Sequence, residues 1–284
     1  VLPGLAELIA AELAPKVVDI DVHAQYPKDF MHKLGAIGGF ASMTPTEFGG
    51  SGRGLKHAIQ VIEEVSKECV SSGFLVWAQY AFQWYMANST NTALKAKILP
   101  QVAFGEILGG TGQSNSMKSC CGIEEARLKA TKVEGGWKIN GTLPWVSNIG
   151  TDHYFHMGAT VEGETGLLIG FVPGNHPGLT LVPSPHFVGM DGTNTFACQF
   201  RDAFLPEEQV VCGAEFAAFR DKTKSAFILL QMGMGLGLID ACAAMMKRSN
   251  KTHAHVNRYL DDQAEDIEAT LLEARAATYA LADR

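Results

Sequence analysis

The chain has 284 residues, of which 46% are hydrophobic and 19% charged, and its formal net charge is −7. This composition is typical of a globular protein long enough for roughly two domains, and it excludes a disordered, collagen-like or coiled-coil chain. The negative charge argues against a nucleic-acid partner, because binding phosphates takes basic groups over a broad face. No uninterrupted apolar run is as long as the roughly 18 residues that a membrane-spanning helix needs, so no membrane span is predicted.

The pattern of residues 1–110 predicts an N-terminal helical domain. Apolar side chains recur at steps of three and four over residues 55–69, which indicates an amphipathic helix. Residues 73–87 are apolar on nearly every side, as in a helix that is buried on several faces. The polar cluster at 88–92 ends that helix and offers caps for a short helix that ends before Pro100.

Residues 111–213 change to alternating apolar and polar residues with many Gly and Pro turns. Short strands are predicted near residues 126–133, 137–141, 153–160, 167–172, 179–182 and 195–200. Short strands with this punctuation predict a central antiparallel β-barrel or sandwich domain.

Residues 214–284 return to a helical pattern, with a long apolar helix over 214–247 and an amphipathic one over 261–283. Runs of one element type followed by runs of another favour an α+β fold with separate domains over a βαβ repeat. Because the chain begins at Val1 rather than at Met, we expect the gene product to continue beyond one or both ends. The predicted C-terminal helical domain is then incomplete in this sequence.

The six cysteines, among them the adjacent pair Cys120-Cys121, show no C-x-x-C spacing. We interpret them as free thiols in a reducing compartment, and the lack of an N-terminal signal segment adds to the prediction of a cytoplasmic protein. The nine histidines form no zinc pattern, so no metal site is expected. The glycine clusters at 49–54 and 233–237 match no nucleotide-binding motif and are interpreted as a tight loop and as close helix packing.

Several short motifs follow one another along the chain. They are F-G-G-x-G at 48–52, I-E-E at 62–64, L-P-x-x-x-x-G-E at 99–106, G-G-W-K-I-N-G at 135–141, W-V-S-N at 145–148 and F-R-D-A-F-L-P at 200–206. Together they resemble the acyl-CoA dehydrogenase family over almost the whole chain. The resemblance implies a flavoenzyme that oxidises an acyl thioester by transferring a hydride to N5 of FAD. It also implies a homodimer or homotetramer assembled through the C-terminal helices.

The resemblance further implies a set of FAD-binding residues. The isoalloxazine ring would pack on Trp145. The hydroxyl groups of Ser114 and Ser147, with the backbone of Gln113, would bind the polar edge of the flavin. Gln263 resembles the start of the family's long helical hairpin and completes the set. An alternative interpretation stays open, in which Trp145 plugs the barrel core and the two serines are turn or capping residues.

The chain departs from the family pattern at several places. Residues 114–121 are S-N-S-M-K-S-C-C where the family has T-E-P-x-x-G-S-D, and Phe227-Ile228 stands where it has a substrate-binding E-R pair. The arginine that reaches the FAD of a neighbouring subunit is Thr252 here, and a phenylalanine three residues later is His255. Arg258 is a candidate to supply the missing charge from a nearby turn.

No catalytic residue is nominated from the sequence. Dehydrogenation needs a carboxylate to take the α proton while flavin N5 takes the β hydride. Most family members place that glutamate in helices that would follow Arg284, and a minority place it where this chain has Phe227. Two alternatives therefore stay open: a flavin-dependent monooxygenase on the same scaffold, which lacks such a base, and a non-catalytic member that has lost flavin. The chain length of the substrate and the electron acceptor also stay open.

Overall fold

The computed structural model describes residues 2–283, which begin with a bundle of helices. Its α-helices are α1 Leu5–Leu8, α2 Val17–Val22, α3 Lys28–Ala36, α4 Gly54–Glu68, α5 Val70–Ala87 and α6 Thr92–Ala103. The helices predicted over 55–69 and 73–87 correspond to α4 and α5. Asn91 caps α6 by accepting a hydrogen bond from the backbone N–H of Leu94 at 3.0 Å. Helix α5 is buried around nearly its whole circumference, as its apolar composition predicts.

The middle of the chain forms one sheet of eight strands. The strands are β1 Gly109–Gly112, β2 Leu128–Val133, β3 Gly136–Val146, β4 Tyr154–Val161, β5 Leu167–Pro173, β6 Leu179–Pro183, β7 Phe196–Pro206 and β8 Val210–Cys212. Their order across the sheet is β6-β7-β3-β2-β4-β5-β8, with β1 paired to β4. A short helix, α7 Ser114–Cys120, connects β1 to β2.

The α+β fold class, with a central β domain between helical segments, is confirmed, but among residues 2–283 the sheet is neither purely antiparallel nor closed into a barrel. Strands β1 and β2 both run parallel to β4, so the sheet is mixed. Alternation along a strand indicates which face is buried and does not specify the neighbouring strand or its direction. The glycine-rich β1 gave no strand pattern at all.

The sheet has a hydrophobic core of its own and also packs on the helices. Leu168 and Val172 of β5 join the core within the sheet, whereas the alternate residues Ile169 and Phe171 join the helical core with α5. That second core extends to Phe227 of the next helix. The division of the chain into domains 1–110, 111–213 and 214–284 stays a prediction.

Two C-terminal helices, α8 Phe216–Asn257 and α9 Ala264–Ala282, complete the described chain. Helix α8 lies close against α4, since a Cβ on Gly237 would collide with the carbonyl oxygen of Glu63. The predicted close helix packing at this glycine cluster is therefore confirmed. The indole N–H groups of Trp77 and Trp84 on α5 donate to carbonyl oxygens of α8, at 3.4 and 3.2 Å. By length and composition α8 is also able to cross a membrane, which is weak evidence because the core helix of a globular protein passes the same test.

Candidate functional site

Trp145 lies near the end of β3, and its side chain is 53% exposed. Strict alternation from the buried Leu143 would turn Trp145 inward. A register shift between Leu143 and Val146 buries Val146 instead and leaves the indole outside. The ring contacts Phe187 edge-on, with 5.6 Å between the centroids. The interpretation of Trp145 as a plug in the sheet core is therefore wrong.

The end of β1 brings Ser114 beside this indole. Ser114 is the first residue of α7, and together with Gly112 and Trp145 it lines a hollow of about 70 Å³. The backbones of β1 and β3 approach closely here, because a Cβ on Gly110 would collide with the carbonyl oxygen of Ser147. Glycine at this position is thus a requirement of the close approach.

Gln113 joins the same edge and has unused hydrogen-bonding capacity. Its side chain is buried, and among residues 2–283 its Nε2 has no hydrogen-bond partner. The backbone N–H of Gln113, which was expected to face a flavin, donates to Oγ1 of Thr111 at a long 3.3 Å. A buried amide without an acceptor is costly, and this donor is therefore a candidate for a ligand.

Ser147 directly follows the last residue of β3 and is half-buried. Its Oγ is 2.6 Å from Oγ1 of Thr195, which is 2.9 Å from Oγ1 of Thr193. A hydroxyl group has one donor and two acceptor positions, so Ser147 retains capacity for one more partner. The structure thus brings four of the five nominated residues, Gln113, Ser114, Trp145 and Ser147, to one edge of the sheet.

Asn148 fixes this edge, and the sequence motif contained it without assigning it a role. It adopts a left-handed backbone conformation with φ of 58° and is fully buried. Its side chain accepts a hydrogen bond from the hydroxyl of Tyr26 at 2.6 Å and donates to the carbonyl of Gly109 at 2.7 Å. Its backbone N–H donates to the carbonyl of Thr193 at 2.9 Å. Four separate stretches of chain therefore meet directly behind Trp145 and Ser147.

Gln263 lies elsewhere, in the turn between α8 and α9. Its Nε2 donates to the carbonyl oxygens of Leu260 at 2.7 Å and Asn257 at 3.2 Å, and it forms a capping box with Asp266. The hollow beside Trp145, as far as residues 2–283 define it, does not include Gln263. A role of Gln263 in cofactor binding stays a prediction, whereas the structure shows that Gln263 caps the N-terminus of α9.

The charged groups around the hollow pair with one another. Glu124 lies 3.7 Å from Arg127 and 3.9 Å from Lys118, and its carboxylate accepts a hydrogen bond from Asn115 at 2.9 Å. These partners, the Asn115 hydrogen bond first, hold the pKa of Glu124 below its usual value. A carboxylate held in this way is a weak base, so Glu124 is not suited to take a proton from carbon.

Arg258 is the candidate to supply the positive charge that Thr252 lacks towards FAD. It is exposed and lies in the same turn as Gln263. Its guanidinium lies 4.8 Å from the ring of Tyr259 and donates to that hydroxyl at 2.9 Å. Within residues 2–283, no group of three or more His, Cys, Asp or Glu side chains is arranged to hold a metal ion. The described edge therefore offers an aromatic face and neutral hydrogen-bonding groups next to the paired charges of Lys118, Glu124 and Arg127.

Comparisons with known proteins agree with the order of elements. Residues 4–106 match the family described as acyl-CoA dehydrogenase, N-terminal domain. A probable acyl-CoA dehydrogenase of Mycobacterium leprae is 25% identical over 294 aligned positions, which include 98% of this chain and 74% of the relative. The mitochondrial isovaleryl-CoA dehydrogenase of Oryza sativa subsp. japonica is 27% identical over 205 positions, 70% of this chain and 50% of the relative. Glutaryl-coenzyme A dehydrogenase in its glutaryl-CoA complex has the same fold, with a TM-score of 0.83, 20% identity and coverage of 98% and 74% of the two chains.

Proposed function

We propose that the chain is a diverged member of the acyl-CoA dehydrogenase family and an FAD-dependent oxidoreductase. It would oxidise an acyl thioester or a related substrate by hydride transfer to flavin N5. Members of this family are FAD-dependent flavoproteins, and the relatives indicate an oxidoreductase of the dehydrogenase type. The observation that carries the proposal is the exposed indole of Trp145, which lines a hollow together with Ser114.

The residues at this edge fit the tricyclic end of FAD. The free face of Trp145 provides an aromatic surface for stacking. The hydroxyl groups of Ser114 and Ser147 and the Nε2 of Gln113 are neutral donors, suited to ring nitrogens and carbonyl oxygens. When bound, FAD supplies the acceptor of the hydride. The chain's own residues hold and orient the ring.

The proton acceptor of the proposed reaction is not assigned to a described carboxylate. The carboxylate that lines the hollow, Glu124, has a lowered pKa and is held by Asn115 and basic neighbours. The second candidate function is that of a flavin-dependent monooxygenase. It is favoured by the weak basicity of Glu124, and also by α7, whose sequence departs from the T-E-P-x-x-G-S-D segment of the family. That reaction uses reduced flavin and oxygen and needs no such base.

A spectroscopic experiment on the full chain tests the proposal. We expect the purified protein to bind FAD with about one flavin per chain and the flavin band to bleach anaerobically on addition of butyryl-CoA or isovaleryl-CoA. Oxygen consumption only in the presence of reduced flavin, without bleaching by a thioester, would identify the monooxygenase. A colourless protein that takes up no added FAD would contradict both and support a non-catalytic member.

Assembly and location are part of the proposal. Exposed apolar side chains occur along α8 and α9, among them Ile228, Met245 and Leu272. Burying them against a second copy would remove this surface from water, which supports a homodimer or homotetramer. We propose a cytoplasmic location on the ground of the free cysteines, and the absence of a membrane span stays a prediction.

A further inference from the structure

Two turns border the sheet edge that carries Trp145, and both contact helix α2 or the segment that joins it to α3. The first turn, residues 147–153, leads from β3 to β4, and the second turn, residues 184–195, leads from β6 to β7. Tyr26 lies between α2 and α3 and reaches the first turn, where its hydroxyl donates to Oδ1 of Asn148 at 2.6 Å. A segment far away in the sequence therefore touches residues next to the candidate flavin site.

The second turn packs against the same segment through backbone atoms. A Cβ on Gly192 would lie 2.6 Å from the carbonyl oxygen of Ile20 and 3.1 Å from that of Gln25. The two turns are also joined to each other, since the backbone N–H of Asn148 donates to the carbonyl of Thr193 at 2.9 Å. The N-terminal segment and both turns therefore form one packed unit.

A chain of hydroxyl groups leads from this unit to a candidate ligand-binding residue. Oγ1 of Thr193 is 2.9 Å from Oγ1 of Thr195, which is 2.6 Å from Oγ of Ser147. Ser147 also directly precedes Asn148 in the chain. A shift of Asn148 would therefore move Ser147 both through the backbone and through the threonine hydroxyl groups.

The surroundings of Tyr26 keep its hydroxyl in place as a donor. Burial, together with the nearby carboxylate of Asp152, raises the pKa of Tyr26 above its ordinary value, so the hydroxyl stays protonated. Its ring lies 5.5 Å from the imidazole of His153, whose Nδ1 donates to the carbonyl of Asn148 at 3.0 Å. Among residues 2–283, no second donor reaches Oδ1 of Asn148, and this residue is fully buried. Without the tyrosine hydroxyl, that oxygen would lose its partner.

We propose that Tyr26 is a positioning residue for flavin binding, which acts through Asn148 on Ser147 and Trp145. The inference rests on the proposed function, since it assumes that FAD binds at this edge. As far as residues 2–283 define the hollow beside Trp145, Tyr26 does not line it. Without the Tyr26 hydroxyl the first turn would be less ordered before binding, and FAD would have to order it at the expense of affinity.

Two tyrosine variants of the full chain test this role by titration of apoprotein with FAD. Tyr26→Phe keeps the ring and removes the hydroxyl, and we expect FAD to bind about tenfold more weakly, a change of the size of one lost hydrogen bond. Tyr80→Phe is the matched control, because that hydroxyl is bonded to Ser42 at 2.9 Å and to the carbonyl of Gly39, both in the N-terminal helical part. Each variant should lower the melting temperature by about 2–4 °C, but only Tyr26→Phe should change FAD affinity.

Hydrogen exchange in the apoprotein measures the order of the first turn without the cofactor. Peptides that contain Asn148 should exchange faster in Tyr26→Phe than in the wild type, and no faster in Tyr80→Phe. In an Asn148→Gly background, which permits the left-handed conformation and lacks the side-chain amide, Tyr26→Phe should have no further effect on FAD affinity. A further tenfold loss there would show that Tyr26 does not act through Asn148 and would overturn the inference.

The outcomes separate this inference from the proposed function. If the wild type binds FAD and Tyr26→Phe binds it equally well, the positioning role is wrong while the proposed function stands. The same holds if both tyrosine variants lose the same affinity, or if exchange at Asn148 is unchanged in Tyr26→Phe. If the wild type binds no FAD, the proposed function is wrong and the inference fails with it.

Discussion

Individual residues at the sheet edge have roles that follow from their surroundings. Trp145 is presented by a bulge and is free to stack. Asn148 is fully hydrogen-bonded and holds the backbone behind it. A left-handed conformation is accessible to asparagine at a lower cost than to most residues, which explains why this position suits Asn. Trp145 is thus the residue proposed to touch the ligand, and Asn148 is the residue that positions the backbone behind it.

Replacing Trp145 should reduce flavin binding with little effect on stability. Trp145→Ala removes an exposed aromatic face, so we expect FAD affinity to fall about tenfold or more, while thermal stability changes little. Trp137→Ala is the matched control, because Trp137 lies on the same strand under the ammonium of Lys132, 3.7 Å from its ring, and away from the hollow. Titration of apoprotein with FAD, followed by fluorescence, measures both. Equal flavin affinity in wild type and Trp145→Ala would remove Trp145 from the site.

At the scale of elements, polar contacts decide how the helices are joined. Glu63 of α4 is 3% exposed and accepts hydrogen bonds from Arg275 Nε at 2.8 Å and from the hydroxyl of Tyr279, both on α9. Arg275 also reaches Asp240 of α8 at 3.0 Å. One guanidinium therefore connects three helices.

Breaking this junction should be costly. Glu63→Gln leaves the Arg275 charge without its buried partner, and we expect the free energy of unfolding to fall by about 2–4 kcal/mol. Lys56→Met is the control, since Lys56 also joins α4 to the end of α9, by a 2.7 Å pair with Asp283, but both side chains are exposed. That variant should lose less than about 1 kcal/mol. Urea denaturation compares the two, and similar losses would contradict the assigned role of the buried carboxylate.

For the molecule as a whole, one apolar core runs through helices of both ends of the chain and the outer face of β5. The exposed apolar residues of α8 and α9 lie outside that core. Burying these side chains against a second copy would remove apolar surface from water, which is the physical ground for expecting assembly.

Assembly can be tested by charging this surface. The wild-type protein should elute as a dimer or a larger oligomer in size-exclusion chromatography with light scattering. Met245→Glu, on α8, should shift it towards monomer, because a carboxylate cannot be buried in an apolar contact without a partner. Val188→Glu is the control, as Val188 is fully exposed in the loop before β7. A monomeric wild-type protein, or the same shift in both variants, would contradict pairing through the C-terminal helices.

Helices α4 and α5 and the α+β class could be predicted from the sequence. Burial on one or more faces of a helix requires apolar residues at regular spacing, and that spacing is visible in the sequence. The motif around 145–148 led to the indole. Other features left no such trace. The bulge after Leu143, the parallel partners of β4 and the pairing of Tyr26 with Asn148 depend on contacts between distant residues.

The hydrogen bonds to Asn148 also bear on how the protein emerges from the ribosome. The hydrogen bond of Tyr26 to Asn148 joins residues 122 positions apart in the chain. The backbone N–H of Asn148 can bond to Thr193 only after that residue has been synthesised. The edge that carries Trp145 therefore remains unfinished until synthesis has passed the start of β7, and contacts of such long range slow folding. A nascent chain stalled before that point would expose unpaired strand edges, which are prone to aggregation.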